Sequence, residues 1–131
     1  MDSAFLDIVR QAVPGATLEL APSRDMVTVF VERDHLVDVC RTLRDHADLQ
    51  FACLADITAV DLLPASPRFE IVYNLACLGP AYGTAPARRL RVKVRLMGDD
   101  PRVPTVCEIW PAANWAEREV FDLFGVDFRS E

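Results

Sequence analysis

The spacing of apolar positions changes several times along the chain, and each change marks an element. Phe5, Ile8, Val9 and Ala12 recur at helical spacing over residues 4–12, behind a candidate cap at Ser3, and Pro14-Gly15 closes the segment. Two short β-type runs follow at 17–20 and 26–31, joined across Pro22-Ser23-Arg24-Asp25 as a hairpin. Asp34 stands where an N-cap is wanted for a second amphipathic helix, whose stripe is Leu36, Val39, Cys40 and Leu43 and which runs to Ala47. Three runs rich in β-formers occupy 51–60, 69–78 and 88–97, with proline-containing loops between them. Asp99-Asp100-Pro101 marks a turn, 105–110 is ambiguous, and a last helix is predicted over 115–124. The order αββαβββα predicts a two-layer α+β domain over residues 1–131: a mixed or antiparallel sheet of about five strands, with helices mainly on one face.

Within the run 88–97 the alternation is strict. Arg89, Arg91, Lys93 and Arg95 point one way, and Leu90, Val92, Val94 and Leu96 the other. The basic side is either a surface for an anionic partner or a solvated sheet face balanced by cross-strand acids such as Glu70. No aromatic residue interleaves with these cations, which argues against a single-stranded nucleic-acid groove.

The last helix carries the densest mixture of residue types. With Asn114 as N-cap, Glu117 falls at the third helical position and is expected to reach back in a capping box. Gly125 stands where a left-handed C-terminal residue is wanted, with Val126 as its apolar contact. At 100° per residue, Ala116, Val120, Phe121, Leu123 and Phe124 fill one apolar arc, while Trp115, Arg118, Glu119 and Asp122 share the other. A Trp and an Arg among acids have the composition of a protein interface.

Composition narrows the class. Fifty-one per cent hydrophobic and 26% charged residues describe a globular domain, and a net charge of −6 argues against general nucleic-acid binding. Residues 1–65 hold five basic and eleven acidic side chains, whereas 66–131 hold nine of each, so the whole excess lies in the first half. All basic residues but Lys93 are Arg, which suits bidentate pairing. The acidic start and an apolar run broken at Asp7 and Arg10 do not read as a signal peptide, and no stretch approaches the roughly 20 apolar residues that cross a bilayer. A soluble cytosolic protein without direct membrane insertion is expected. Cys40, Cys53, Cys77 and Cys107 form no CxxC, so four buried structural thiols are expected and no metal site. His35 and His46 on one helix would stand about 16 Å apart along its axis, too far to share a metal. Phosphate-binding glycine loops, zinc-hydrolase and serine-hydrolase motifs are absent.

At Trp115-x-Glu117-Arg118-Glu119-x-x-Asp122-x-Phe124-Gly125 the chain resembles the C subunit of the proton-translocating NADH:quinone oxidoreductase, respiratory complex I. Leu54-Ala55-Asp56-Ile57-Thr58-Ala59-Val60-Asp61 and Phe69-Glu70-Ile71-Val72-Tyr73-Asn74-Leu75 are similar to two strand motifs of that family. So are the basic alternating strand, Val103-Pro104-Thr105-Val106 and Ile109-Trp110. The resemblance covers about residues 50–128 closely and the first 50 in layout.

It implies a non-catalytic assembly subunit of the peripheral arm, on the cytoplasmic side of the membrane, supporting NADH-to-quinone electron transfer coupled to ion translocation. Flavin, iron-sulfur clusters and quinone would sit in partner subunits and none in this chain. Packing would be chiefly against the D subunit of the complex, and also against its B and I subunits. Trp115, Glu117, Arg118, Glu119, Asp122, Phe124 and Gly125 would form the signature and subunit interface, and Arg89, Arg91, Lys93 and Arg95 a further basic one. The family continues past the residue matched by Phe128 through a His-Pro motif into a basic tail. This sequence instead ends at Arg129-Ser130-Glu131, as a truncated piece or a short form. Three other readings stand beside it: the equivalent subunit of a membrane-bound hydrogenase, a small hydrolase using Glu119 and Asp122, and a stand-alone anion-binding module on the basic strand.

Overall fold

A computed structural model describes residues 4–23 and 25–130. The candidate Ser3 cap and Arg24 of the first hairpin loop lie outside the described residues. The elements are α1 (Ala4–Ala12), β1 (Leu18–Ala21), β2 (Val27–Val31), α2 (Leu36–Asp45), β3 (Cys53–Asp61), β4 (Phe69–Cys77), β5 (Arg88–Leu96), β6 (Arg102–Pro104), α3 (Ala113–Phe124) and β7 (Asp127–Arg129).

Strands β1 to β5 form one mixed sheet in the order β1-β2-β5-β4-β3, in which only β2 and β5 run parallel. The alternation read from β5 holds: Leu90, Val92, Val94 and Leu96 are buried. Register carries that inward face across the sheet, through Val29 on β2, Ile71, Tyr73 and Leu75 on β4, and Ile57 on β3. On β3, Leu54 and Ile57 are three residues apart, so period-two alternation cannot turn both inward. A register shift between Leu54 and Asp56 inserts the extra residue that does. The same shift sets Asp56 opposite Asn74, whose amide donates to it at 2.6 Å.

The helices cover that inward face. Phe5, Leu6 and Val9 of α1, Leu36, Val39, Cys40 and Leu43 of α2, and Ala113 and Val120 of α3 join the sheet in one hydrophobic cluster. Burial of each larger aliphatic or aromatic side chain is worth about 1.5–3 kcal/mol before the entropy of ordering it. The result is the two-layer α+β arrangement with helices on one face. Two strands escape the sequence pattern: β6 and β7, three residues each, pair parallel in a separate ribbon beside α3.

Three local expectations are corrected. Asp34 does not cap α2: residues Arg33–His35 form a turn of 3₁₀-helix, His35 takes the cap position, and no side chain caps there. His35 and His46 therefore flank α2 instead of lying within it. Of the four thiols only Cys40 and Cys77 are buried, while Cys53 and Cys107 are half-buried.

Long-range polar ties lock the loops to this frame. Arg33 donates to the Asp100 and Arg102 carbonyls and to the Asp100 carboxylate. Arg44 donates to the Ile109 carbonyl at 2.8 Å, and the Trp110 indole N–H to the Phe51 carbonyl at 3.0 Å. Together they hold the segment between β5 and α3 against α2 and the start of β3.

Candidate functional site

The approach to α3 is built from successive turns. Ile109 and Trp110 donate main-chain N–H groups to the Val106 carbonyl, Ala113 to Trp110 and Asn114 to Pro111. Carbonyls of the preceding segment thus serve the first amides of the helix, which begins at Ala113, two residues earlier than an Asn114 cap would place it. The capping box does not form, and Glu117 is released for another task.

That task is internal. Glu117 is only 5% exposed, on the inward stripe with Ala113 and Val120. Its carboxylate accepts from the Thr105 hydroxyl at 2.5 Å, the Val106 N–H at 2.9 Å and the Cys107 thiol at 3.2 Å. Burial, with the adjacent carboxylate, raises the Cys107 thiol above its ordinary pKa, while Thr105 opposes the shift. Glu117 is thus a clamp between α3 and the strand-to-helix connection. The sequence signal for it is a polar residue at the i+4 position of an otherwise apolar stripe, which a hydrophobic wheel alone counts as outward.

The buried stripe of Ala113, Glu117 and Val120 is narrower than the predicted apolar arc, and this changes what faces out. Trp115 is 73% and Leu123 76% exposed, and Phe121 is 49% exposed, so two residues predicted for the core arc lie outside it. Phe124 stays half-buried against the core. Trp115, Arg118, Glu119 and Asp122 share the exposed face as expected, with Arg118 donating to Asp122 at 3.2 and 3.3 Å. Gly125 ends the helix in the left-handed conformation, at φ 73°, with its N–H on the Phe121 carbonyl, and Val126 is fully buried behind it. Two aromatic rings and a leucine around a one-turn ion pair make a convex apolar face with a charged stripe, the composition of a protein contact.

The basic strand lies elsewhere, on the open face of the sheet, and its four cations differ. Arg91 pairs with Asp25 at 3.1 Å and bonds Asn74. Asp25 is held at a pKa of about 2, chiefly by hydrogen bonds from Ser23 and Arg91. Lys93 pairs with Glu70 at 3.7 Å, the cross-strand acid expected from the sequence. Arg95 stacks on the Phe30 ring at 3.7 Å, and Arg89 stands exposed. The strand is therefore a partly neutralised sheet face and not a continuous basic stripe. Glu119 and Asp122, the pair a hydrolase would use, lie on an exposed helix face where Asp122 is already engaged by Arg118.

Among the described residues no three His, Cys, Asp or Glu side chains gather as a metal-binding group, and no helix is long and apolar enough to cross a membrane. These features define a small two-layer α+β domain whose polar groups mostly join its own segments and whose last helix presents an apolar, Trp- and Arg-bearing face. Residues 29–131 match the family model described as the respiratory-chain NADH dehydrogenase 30 Kd subunit, and the chain belongs to that family. It is similar to the NADH-quinone oxidoreductase C subunit of Saccharopolyspora erythraea, with 40% identity over 127 residues, which is 95% of this chain and 49% of that protein. The chain thus spans about half the length of that relative. Among solved structures it resembles a trypsin-resistant fragment of Nqo5, with TM-score 0.74 and 32% identity over 95% of this chain and 92% of the fragment. It also resembles a chain of the membrane-bound sulfane sulfur reductase, an archaeal respiratory membrane complex, with TM-score 0.73 and 30% identity over 97% of this chain and 70% of that one.

Proposed function

We propose that the chain is a non-catalytic assembly subunit of an NADH:quinone oxidoreductase, with α3 as a principal contact with its neighbours. The observation that carries this reading is the family match over residues 29–131 together with the signature Trp115 to Gly125 folded as an exposed helix face. The internal use of Glu117 and the engagement of Asp122 by Arg118 support a structural role for this helix over an acid-base one. The flavin, iron-sulfur clusters and quinone belong on this reading to partner subunits, with the D subunit as chief neighbour and the B and I subunits as further ones. The chain lies at the cytoplasmic side of the membrane as a peripheral part of the complex.

Tagged chain recovered from detergent-solubilised membranes of the cell that makes it tests this directly. NADH-oxidising flavoprotein and the D subunit are expected to copurify, and Leu123→Glu on the α3 face is expected to lose them. A visible chromophore bound stoichiometrically to the isolated chain would refute the reading. The likeness to a chain of the sulfane sulfur reductase favours one alternative, the equivalent subunit of a related membrane complex such as a hydrogenase. Copurification of a nickel-iron subunit in place of the NADH-binding flavoprotein would establish it.

A further inference from the structure

The parallel pair in the sheet ends early. Strand β2 follows β5 only to Phe30 beside Lys93, whereas β5 continues with β4 to Leu96 beside Phe69. Over Val94, Arg95 and Leu96 the side of β5 that faces β2 has no strand neighbour. The two strands part there and open a cleft of about 360 Å³, lined in part by Glu19, Phe30, Glu32, Arg95, Leu96 and Met97.

Arg95 is the distinctive group in this cleft. Its guanidinium lies over the Phe30 ring at 3.7 Å. The cross-strand acid Glu70 pairs with Lys93 instead, and Arg95 makes no ion pair or hydrogen bond with any described residue. A planar cation fixed by stacking, with its donors unclaimed, is preorganised for bidentate contact with a carboxylate. Glu19 and Glu32 line the same cleft and repel a dianionic phosphate more strongly than a singly charged carboxylate, and Glu32 already accepts from the Thr17 N–H at 3.0 Å. Phe30 and Met97, the latter 48% exposed, offer apolar surface beside it. Unpaired strand edge, apolar wall and one free guanidinium together match an extended polypeptide that carries an acidic side chain next to apolar ones.

We propose that this cleft is a second docking site, which seats an extended acidic-apolar segment of a partner polypeptide with its carboxylate on Arg95. The inference rests on the reading of the chain as a subunit of a larger assembly. The cleft is on the β1-β2-β5 side of the sheet, whereas α3 packs against β3 at the opposite edge, so the two sites would grip different neighbours or different parts of one.

Site-specific photo-crosslinking in the intact membrane complex separates the two sites. Benzoylphenylalanine is placed at Met97 in one strain and at Leu123 in another. The expected result at 97 is an adduct to a partner polypeptide whose attachment peptide carries Asp or Glu beside apolar residues. Its yield should fall at least fivefold with either Arg95→Glu or Arg95→Gln, while the adduct from 123 stays unchanged in the same variants and so reports a folded, assembled chain. An adduct at 97 to lipid only, no adduct at 97 alongside one at 123, or a polypeptide adduct at 97 indifferent to Arg95 would each overturn the docking site. Failure at both positions would overturn the assembly reading as well.

Discussion

Replacing Glu117 by Ala tests the clamp at the heart of α3. The carboxylate holds three donors, of which the Val106 N–H sits on a residue with no exposure. Left without an acceptor, that buried amide costs about 1–3 kcal/mol, and the Thr105 hydroxyl and Cys107 thiol, which are partly exposed, add less because they can turn to solvent. Truncation also leaves a void beside Ala113 and Val120, worth about another 1 kcal/mol. Relief from burying a charge without a cationic partner offsets part of this. The expected net loss is about 2–3 kcal/mol for Glu117→Ala and about half that for Glu117→Gln, which keeps the shape and one acceptor oxygen. With a urea slope of about 1–3 kcal/mol/M, the Ala variant should lower the midpoint by about 0.7–3 M. Urea titration of the chain, followed by the fluorescence of Trp110 and Trp115, measures it. A loss below about 0.5 kcal/mol with an unchanged slope would refute the clamp and return Glu117 to an ordinary helix position.

Three further outcomes follow from the packing. Tyr73 is fully buried with its hydroxyl meeting no hydrogen-bond partner, so Tyr73→Phe should be neutral or raise stability by about 1 kcal/mol; a clear loss in thermal denaturation would reveal a partner for that hydroxyl. Gly125 holds φ 73° with nothing near an added Cβ, so Gly125→Ala should cost about 1–2 kcal/mol through backbone strain alone, and Gly125→Asn less; equal costs for the two would contradict this. Arg102 first and then Arg33 hold Asp100 at a pKa of about 2, against 3.8 when unperturbed. A lowered folded-state pKa contributes stability that is complete above pH 4 and fades as pH falls toward 2. Asp100→Asn should therefore reduce the thermal midpoint near neutral pH and flatten its decline between pH 4 and pH 2; an unchanged acid limb would show that the pairing adds nothing.

What the sequence makes legible divides by the kind of signal. Alternation in β5 and the helical stripes of α1 and α2 each follow from burial on one face, and the structure keeps them to within a residue or two. The ribbon of β6 and β7 is invisible in the pattern because three-residue strands from distant segments leave no period to detect. The pattern locates helix α3 but misjudges its inward face, since pattern reading assigns every carboxylate to solvent. Glu117 breaks that rule because Thr105, Val106 and Cys107 supply donors from a loop ten to twelve residues away, a proximity that only tertiary structure creates. Phe121 and Leu123 lie on opposite flanks of the predicted arc, and both are exposed because the stripe actually buried, Ala113, Glu117 and Val120, is narrower than that arc.

The preponderance of arginine among the basic residues suggests in the sequence an interface ready for acidic partners, and the structure assigns most of the guanidiniums elsewhere. Arg33, Arg44 and Arg88 donate to main-chain carbonyls of distant loops, and Arg68, Arg91, Arg102, Arg118 and Arg129 pair with acids of the same chain. Arginine suits this work because one planar fork can satisfy several acceptors at once, which lets loops be fixed without lengthening the core. Among the described residues only Arg89 and Arg95 make neither ion pair nor hydrogen bond, and only Arg95 of these two is fixed by an aromatic ring. Charge left unpaired in so thoroughly wired a domain stands out against its surroundings. Specific docking through such a surface depends less on total basicity than on which single cation the fold leaves oriented and unspent.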